Sequence, residues 1–372
     1  RGGGGVTHLV ELLKAAKPQE HGFKKIIVWG GTKTLNQIEK KDWLEKIFDP
    51  LLDKSLFHRA FWQKFKLSKL AKENNCSILF IPGGTYSGNF YPFVTMSQNL
   101  LPFEWKEIKR YKISIFTLKL LILRITQSKA FKKSNGIVFL TNYARKVVLD
   151  LYNLPIDKTS IIPHGINSRF FRKPRIQKDF NSFNINSPAK ILYVSFIGEY
   201  KHQWKVVEAI SLLKSKGLFV ELNLVGSPDE KRAFKKLNNS IHKFDPDKKF
   251  IKYYPKVSHN DIDKMYEKAD IFLFASSCET FGQILTEAMA SGLPIACSDL
   301  SAMPEILGDA GLYFNPESSE EIANVLEKIL YDRNLRKDLS ENAYIKAKNY
   351  SWEKCSFETL KFISNFIGDK QI

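Results

Sequence analysis

The sequence predicts an α/β protein with two parallel-sheet domains. Apolar runs of strand length alternate with helical stretches along most of the 372 residues, as in parallel sheets covered by helices. The alternation stops over 169–189, a stretch without hydrophobic periodicity that contains Pro174 and Pro188. The chain is also long enough for two domains. We therefore predict a first domain over 1–168, a linker over 169–189, a second domain over 190–349 and a closing helical segment over 350–372.

The first domain begins with a run of glycines at 2–5. A glycine-rich turn normally connects a strand to a helix, and the apolar stripe of 7–17 predicts that helix. We therefore expect 2–5 to be a loop and a first strand to precede Arg1. Further along, 35–75 is polar and aromatic-rich and is predicted to be helical. The predicted strands of this domain cover 24–30, 77–83, 93–98, 136–141 and 160–166.

The second domain repeats the same alternation. Its predicted strands cover 190–197, 219–226, 249–257, 269–275, 294–298 and 311–314. Ligands of parallel sheets bind beyond the carboxyl ends of the strands. We expect the two sheets to face each other, so that the loops at such ends line one cleft. These loops contain the glycine run, Gln98, Asn99, His164, Lys201 and 279–282.

One stretch, 277–294, combines several features of a ligand site. It reads SCETFGQILTEAMASGLP and follows an apolar run, so it predicts a loop and then a helix that ends near Gly292. The backbone N–H groups at a helix N-terminus can bind a diphosphate, and Gly282 lets a ligand approach closely. Glu279 and Glu287 can accept hydrogen bonds from hydroxyl groups. A sugar nucleotide has this chemistry, and the alternative is a βα unit with two solvated glutamates.

Charge and cysteine usage limit the classes of partner. Lys and Arg number 57 against 39 Asp and Glu, a formal net charge of +18, which favours an anionic partner or reflects a lysine-rich proteome. The four cysteines form no C-x-x-C pair, which predicts reduced thiols in a cytoplasmic protein. No apolar run reaches the roughly 20 residues that a membrane-spanning helix needs.

The stretch 277–294, together with several shorter stretches, resembles a known family. This family is the GT-B retaining glycosyltransferases of family 4, also called glycosyltransferase group 1. The resemblance covers nearly the whole chain and is most specific over 250–350. It implies two Rossmann-like domains facing across a cleft, with a C-terminal helix that crosses back to the first domain. It also implies sugar transfer with retention from a nucleoside-diphosphate sugar, no metal or other cofactor, and a role in bacterial cell-surface polysaccharide or glycolipid assembly. The matching stretches are 279–296, 304–306, 315–316, 163–167 and 350–352.

The resemblance also implies roles for individual residues. Glu279 would hold the hydroxyls of the donor sugar, Glu287 those of the ribose, and Lys201 the diphosphate. Gly4 and Gly5 match a loop that closes on the diphosphate, and the residues that would give backbone contacts to the donor are Phe281, Gly282, Gln283 and Ile284. Further candidates near the site are Gln98, Asn99, His164 and Lys205.

Two positions depart from the family pattern. Ser195 and Phe196 stand where the family usually has Gly-Arg, so a cation for the diphosphate is missing there unless Lys205 replaces it. Many members carry a histidine where this chain has Gln98, which cannot act as a base. The resemblance allows the leaving phosphate to accept the acceptor's proton. The substitution at Phe196 also raises the alternative of a non-catalytic sugar-nucleotide binder.

The sequence also bears on other functional classes. The stretch 109–133 is both basic and apolar, and it fits either an anionic membrane surface or an ordinary core helix with a basic edge. A nucleic-acid-binding signature is absent from the sequence. A nicotinamide-dependent dehydrogenase is disfavoured because the sequence lacks the G-x-G-x-x-G spacing. The predicted partners are therefore a nucleotide sugar, a sugar or lipid-linked saccharide acceptor and, as one alternative, an anionic membrane surface.

Overall fold

The computed structural model describes residues 4–258 and 261–367. Its strands are β1 (Ile26–Gly30), β2 (Leu44–Phe48), β3 (Leu79–Ile81), β4 (Phe93–Ser97), β5 (Gly136–Phe139), β6 (Thr159–Ile161), β7 (Ala189–Val194), β8 (Val220–Val225), β9 (Ile251–Tyr254), β10 (Ile271–Phe274), β11 (Ile295–Ser298) and β12 (Leu312–Phe314). Its helices are α1 (Gly4–Ala15), α2 (Thr32–Leu35), α3 (Leu56–Phe65), α4 (Leu67–Glu73), α5 (Trp105–Arg110), α6 (Ile115–Lys133), α7 (Asn142–Tyr152), α8 (Gln203–Ser215), α9 (Lys231–Phe244), α10 (Ile262–Lys268), α11 (Gln283–Ala290), α12 (Met303–Leu307), α13 (Ser319–Tyr331), α14 (Arg333–Ala347) and α15 (Trp352–Ser364).

The described residues form two compact units. The first unit draws on the described residues of 1–104, 113–165 and 350–372, and the second on those of 105–112 and 166–349. The stretch predicted as a linker, 169–189, is therefore part of the second unit. There Arg172 pairs with Asp263 at 2.9 Å, and the buried Arg336 donates to the Lys178 carbonyl at 2.5 Å.

The first unit contains two parallel sheets, one of β1 and β2 and one in the order β3-β4-β5-β6. All five residues of β4 are buried, which makes this strand the centre of the unit's core. β2 lies inside 35–75, so the prediction of a wholly helical region is wrong there. Its sequence, LEKIF, has no clear period, and pairing with β1 determines its conformation.

The prediction of a loop over 2–5 is wrong for Gly4 and Gly5. Gly4 and Gly5 are the first two residues of α1, while Gly2 and Gly3 lie outside the described residues. α1 packs against α15, which belongs to this unit. Gly165 permits the close approach of α15, since a Cβ there would lie 2.2 Å from the Trp352 backbone nitrogen.

The basic stretch 109–133 is not one helix. α5 ends at Arg110, Lys112 adopts a left-handed conformation with φ of 51°, and α6 begins at Ile115. The two helices also belong to different units. Among the described residues, no helix is long and apolar enough to cross a membrane.

The second unit is built on one six-stranded parallel sheet. Its strand order is β12-β11-β10-β7-β8-β9, in which the chain starts at the centre with β7, moves outward to β9, and returns to β10 on the other side of β7. This is a doubly wound order with its switch point between β7 and β10. A crevice forms at the carboxyl ends of the strands on either side of such a point, and ligands bind there.

Candidate functional site

The switch point brings together two charged residues that the sequence singled out. Lys201 follows β7 in a 3-10 turn, Glu199–Lys201, and Glu279 lies in the loop after β10. The Lys201 Nζ forms an ion pair with Glu279 Oε1. Lys201 is only 5% exposed, so this carboxylate is a necessary partner for its charge. The sequence placed both residues at the carboxyl ends of strands, and in the structure they follow β7 and β10.

Aromatic rings surround the Lys201 ammonium group. Its Nζ lies 4.8 Å from the ring centroid of Tyr200 and 5.3 Å from those of Phe196 and Phe274. Ring faces attract a cation, most strongly where water is excluded. Phe196, the departure from the family pattern, therefore packs beside the lysine instead of adding a second cation.

The Glu279 loop is held by backbone contacts. The Glu279 N–H donates to Ser301 Oγ at 2.9 Å, and the Ser301 hydroxyl donates back to the Glu279 carbonyl at 2.8 Å. Gly282 caps α11 with φ of 82°, and a Cβ there would lie 2.7 Å from Met303 Cε. The positive φ favours glycine at this position, and a Cβ there would also displace the end of the Met303 side chain. Phe281 is buried, while Gln283 and Ile284 begin the helix and are partly exposed.

Glu287 is a partly buried carboxyl group on α11. The Tyr266 hydroxyl donates to Glu287 Oε2 at 3.1 Å. Burial raises the pKa of Glu287 to about 7, although the hydrogen bond from Tyr266 and the charge of Arg169 act in the opposite direction. Near neutral pH the Glu287 carboxyl group can therefore gain or lose its proton when its surroundings change.

Lys205, the suggested substitute for the missing arginine, has other partners. Its Nζ lies 3.0 Å from Glu208 Oε2 and 3.4 Å from Ser319 Oγ. Among the described residues, no hydrogen bond or ion pair connects Lys205 to Glu279. Its role at the diphosphate stays a prediction.

The remaining candidates lie in the first unit. Gln98 lies near α1, since a Cβ on Gly5 would lie 3.6 Å from Gln98 Oε1. Asn99 accepts from the Leu101 N–H at 3.2 Å and shapes its own turn. His164 is buried and stacks on His8 with ring centroids 4.7 Å apart and on Trp352 at 5.6 Å. Burial and the neighbouring His164 lower the pKa of His8 well below its usual value.

The sequence did not predict the contribution of α5. This helix lies in the second unit, where Glu107 accepts from Ser277 Oγ at 2.9 Å, and Arg110 pairs with Glu107 and Glu317. The one feature of the sequence that could have indicated a separate short helix is the stretch PFEWKEIKRYK at 102–112, which begins with a proline and contains several charged residues. Its basic end runs directly into apolar residues, so the sequence alone indicates one basic and apolar stretch over 109–133.

The described residues do not provide a set of side chains suited to a metal ion. Over 4–258 and 261–367, no group of three or more His, Cys, Asp or Glu side chains could hold a metal ion. The four cysteines at 76, 278, 297 and 355 are free thiols.

Comparison with known sequences gives a match over most of the second unit. Residues 175–346 match the family described as glycosyl transferases group 1. The O-antigen chain mannosyltransferase B of Escherichia coli is 33% identical over 111 residues, which cover 30% of this chain and 29% of that protein. An uncharacterized glycosyltransferase of Methanocaldococcus jannaschii is 25% identical over 241 residues, which cover 61% of this chain and 59% of that protein. The chain thus spans less than two thirds of the length of these relatives.

Solved structures match along the whole chain. WaaG, a glycosyltransferase involved in lipopolysaccharide biosynthesis, aligns with a TM-score of 0.69 at 18% identity, covering 98% of this chain and 96% of that one. HepE of Anabaena in complex with UDP-glucose aligns with a TM-score of 0.69 at 16% identity, covering 97% and 96%. At such identities the likeness establishes the fold alone, and it is the predicted GT-B fold.

The raised pKa of Glu287 gives a prediction about stability. Because the folded protein binds this proton more tightly than the unfolded chain, its stabilising effect is complete below pH 4.5 and is lost as the pH rises to about 7. The Glu287→Gln variant does not titrate. Its free energy of unfolding relative to wild type should therefore increase between pH 5 and 8, by at most about 3 kcal/mol.

Urea unfolding at several pH values measures this difference. Glu341→Gln, which changes an exposed carboxylate on α14, is the control and should follow the wild-type pH dependence. If the free energies of unfolding of wild type and Glu287→Gln change in parallel from pH 5 to 8, the Glu287 pKa is not raised.

Proposed function

We propose, from the premise that residues 175–346 belong to the group 1 glycosyl transferases, that this chain is a retaining glycosyltransferase. It transfers a sugar from a nucleoside-diphosphate sugar to an acceptor hydroxyl. The observation that carries the proposal is the Lys201–Glu279 pair at the switch point of the six-stranded sheet, beside the N-terminus of α11. A buried cation next to an anion-binding helix end suits a diphosphate, and a neighbouring carboxylate suits sugar hydroxyls.

The donor would be bound in three parts. Lys201 and the backbone around Gly282 and Gln283 bind the diphosphate, Glu279 accepts hydrogen bonds from the sugar, and Glu287 accepts them from the ribose. Phe281 and Ile284 complete the wall next to the donor. We also propose that Gly4 and Gly5 give backbone contacts to the diphosphate. These contacts would come from the first residues of α1 and not from a loop.

The reaction breaks the bond between the anomeric carbon and the diphosphate oxygen and forms one between that carbon and the acceptor oxygen. Negative charge grows on the leaving diphosphate, and Lys201 stabilises it in a site with little water. The departing phosphate oxygen accepts the acceptor's proton, so no protein base is required. We propose that no metal or other resident cofactor takes part, with the nucleotide sugar as co-substrate.

The acceptor class is proposed from the relatives. One of them is named for the O-antigen chain and a structural neighbour for lipopolysaccharide biosynthesis, while another neighbour was solved with UDP-glucose. We therefore propose a sugar or lipid-linked saccharide as acceptor, in bacterial cell-surface polysaccharide or glycolipid assembly. A cytoplasmic protein acting on such acceptors would work at the inner face of the membrane.

Two exposed apolar surfaces of the first unit support peripheral membrane binding. α6 exposes Ile115, Leu118, Ile122 and Ile125, which recur at helical spacing on one face, near Lys119 and Lys129. α3 exposes Leu56, Phe57, Phe61 and Phe65, near Lys54 and Lys64. Apolar side chains flanked by lysines fit a surface of anionic lipids.

The two helices are connected through the same core. Trp62 of α3 and Ala130 of α6 lie in one hydrophobic cluster. Both helices also contact the loop after β3, because Gln63 donates to the Thr85 carbonyl at 2.8 Å and Gly84 lies close to Gln127. The two helices are therefore neighbours in the fold, and each is tested separately as a membrane contact.

Removing the Lys201 charge should slow sugar transfer. Turnover is measured as release of UDP or GDP from UDP-glucose, UDP-galactose or GDP-mannose. We expect Lys201→Met to lower turnover by about 100-fold or more, because the diphosphate loses its buried cation. Lys216→Ala, which removes a surface lysine paired with Glu327, is the control and should leave turnover unchanged.

The Lys201→Met variant leaves Glu279 without its partner, so the double variant Lys201→Met, Glu279→Gln is measured alongside it. Unchanged turnover in a folded Lys201→Met protein would contradict the proposed role. A wild-type protein that binds one of these donors without turning it over would identify a non-catalytic sugar-nucleotide binder.

Membrane binding is tested by flotation with lipid vesicles. We expect wild type to float with vesicles containing about 30% phosphatidylglycerol and not with neutral phosphatidylcholine. The variants Phe57→Ser, Phe61→Ser, Phe65→Ser and, separately, Ile115→Ser, Leu118→Ser, Ile122→Ser should each weaken flotation. Their melting temperatures should change little, because these side chains are exposed.

The control changes three exposed isoleucines of the second unit, Ile176, Ile185 and Ile345, to serine and should float as wild type does. Equal flotation of the wild type and both helix variants, or none with anionic vesicles, would rule out these surfaces as a membrane contact.

A further inference from the structure

The segment 105–112 occupies an unusual place in the chain. Its flanking residues, Glu104 and Ile113, belong to the first unit, but the segment itself belongs to the second. Its contacts reach loops that follow four strands of the six-stranded sheet, namely β7, β8, β10 and β12. These loops lie at the carboxyl edge, where the ligand of a doubly wound sheet binds.

The first set of contacts runs through Glu107, which is 3% exposed. Its Oε2 accepts from Ser277 Oγ at 2.9 Å, and the same hydroxyl lies 2.9 Å from His202 Nε2. A serine hydroxyl has one hydrogen, and here Glu107 accepts it. His202 must therefore donate from Nε2–H, as the neutral tautomer protonated at Nε2.

This hydrogen-bond chain links the two residues of the candidate site. Ser277 stands two positions before Glu279, and its N–H donates to the Tyr200 carbonyl at 2.9 Å. His202 directly follows Lys201 and has a left-handed φ of 52°. Burial, with the charge of Arg110, lowers the pKa of His202 to about 3, so the ring stays neutral over the working range of pH.

Arg110 and Tyr111 carry the second set of contacts. Arg110 binds both oxygens of Glu107, at 2.7 and 3.1 Å, and reaches Glu317 Oε1 after β12 at 2.7 Å. The hydrogen bond from Arg110 lowers the pKa of Glu317 to about 2. The Tyr111 hydroxyl donates to Glu230 after β8 at 3.0 Å, and Glu230 accepts from the Glu199 N–H at 2.9 Å in the turn of Lys201.

We infer that Glu107 is a positioning residue for sugar transfer, which orients the loop of Glu279 through Ser277 and the turn of Lys201 through His202. The inference rests on the proposed function. Arg110 holds the Glu107 carboxylate in place, because a bidentate guanidinium fixes both of its oxygens. Lys201 and Glu279 are thereby held in position by the segment 105–112. The chain enters this segment from the first unit and returns to the first unit after it.

The alternative is a purely structural ion pair, and a double-mutant cycle separates the two. With UDP-glucose, UDP-galactose or GDP-mannose as donor, Glu107→Gln and Ser277→Ala should each lower kcat by about 10- to 100-fold, with less than about a threefold change in KM. In the Lys201→Met, Glu279→Gln background, Glu107→Gln should have no further effect, because the residues through which it acts are gone.

The control is Glu327→Gln, which breaks the Lys216–Glu327 surface pair of the same unit and should leave kcat unchanged. If Glu107→Gln lowers only the melting temperature, or lowers kcat equally in both backgrounds, Glu107 is structural and the inference fails. A wild type without any turnover would instead refute the proposed function.

Nitrogen-15 NMR of the histidine rings tests the hydrogen-bond chain without any donor. His202 should be the Nε2–H tautomer in wild type, and Ser277→Ala should shift its ring nitrogen signals while those of His164 stay in place. A wild-type His202 protonated at Nδ1 would overturn the inference, whatever the chain catalyses.

Discussion

The ion pair between Lys201 and Glu279 is the interaction on which the site depends. The two residues are 78 positions apart and meet only because β7 and β10 are neighbours at the switch point of the sheet. A buried ion pair adds little net stability, because the cost of removing both charges from water offsets their attraction. In the proposed function the pair instead holds a cation, with three aromatic rings around it, at the switch point where the diphosphate would bind.

The ion pair needs support from outside the sheet, since both partners stand on loops. Ser301 holds the Glu279 backbone, and the hydrogen-bond chain from Glu107 reaches both loops. Such support suits electrostatic catalysis, in which the charges must already be in place when the transition state forms. Phe196 is consistent with this arrangement. Its ring lies next to the Lys201 ammonium group, whereas a second cation at this position would repel that group.

Much of the second unit could be predicted from the sequence. Its strands are short apolar runs separated by clear helices, so their positions and the strand-end location of Lys201 and Glu279 follow from periodicity alone. The first unit was less predictable. β2 exists because it pairs with β1, and α5 leaves its sequence neighbours to pack on the second unit. Both depend on long-range contacts, which no local pattern records. The N-terminal glycines were assigned to a loop by composition, yet Gly4 and Gly5 begin α1.

The most direct test of the account is binding of nucleotide sugars to the folded protein. Thermal unfolding is measured with UDP-glucose, UDP-galactose and GDP-mannose, each at saturating concentration. A ligand that binds only the folded state raises its stability. The account predicts that at least one of these donors raises the melting temperature of wild type, and that the same donor has little effect on the Lys201→Met, Glu279→Gln variant. No shift with any of the three, or equal shifts in wild type and variant, would contradict it.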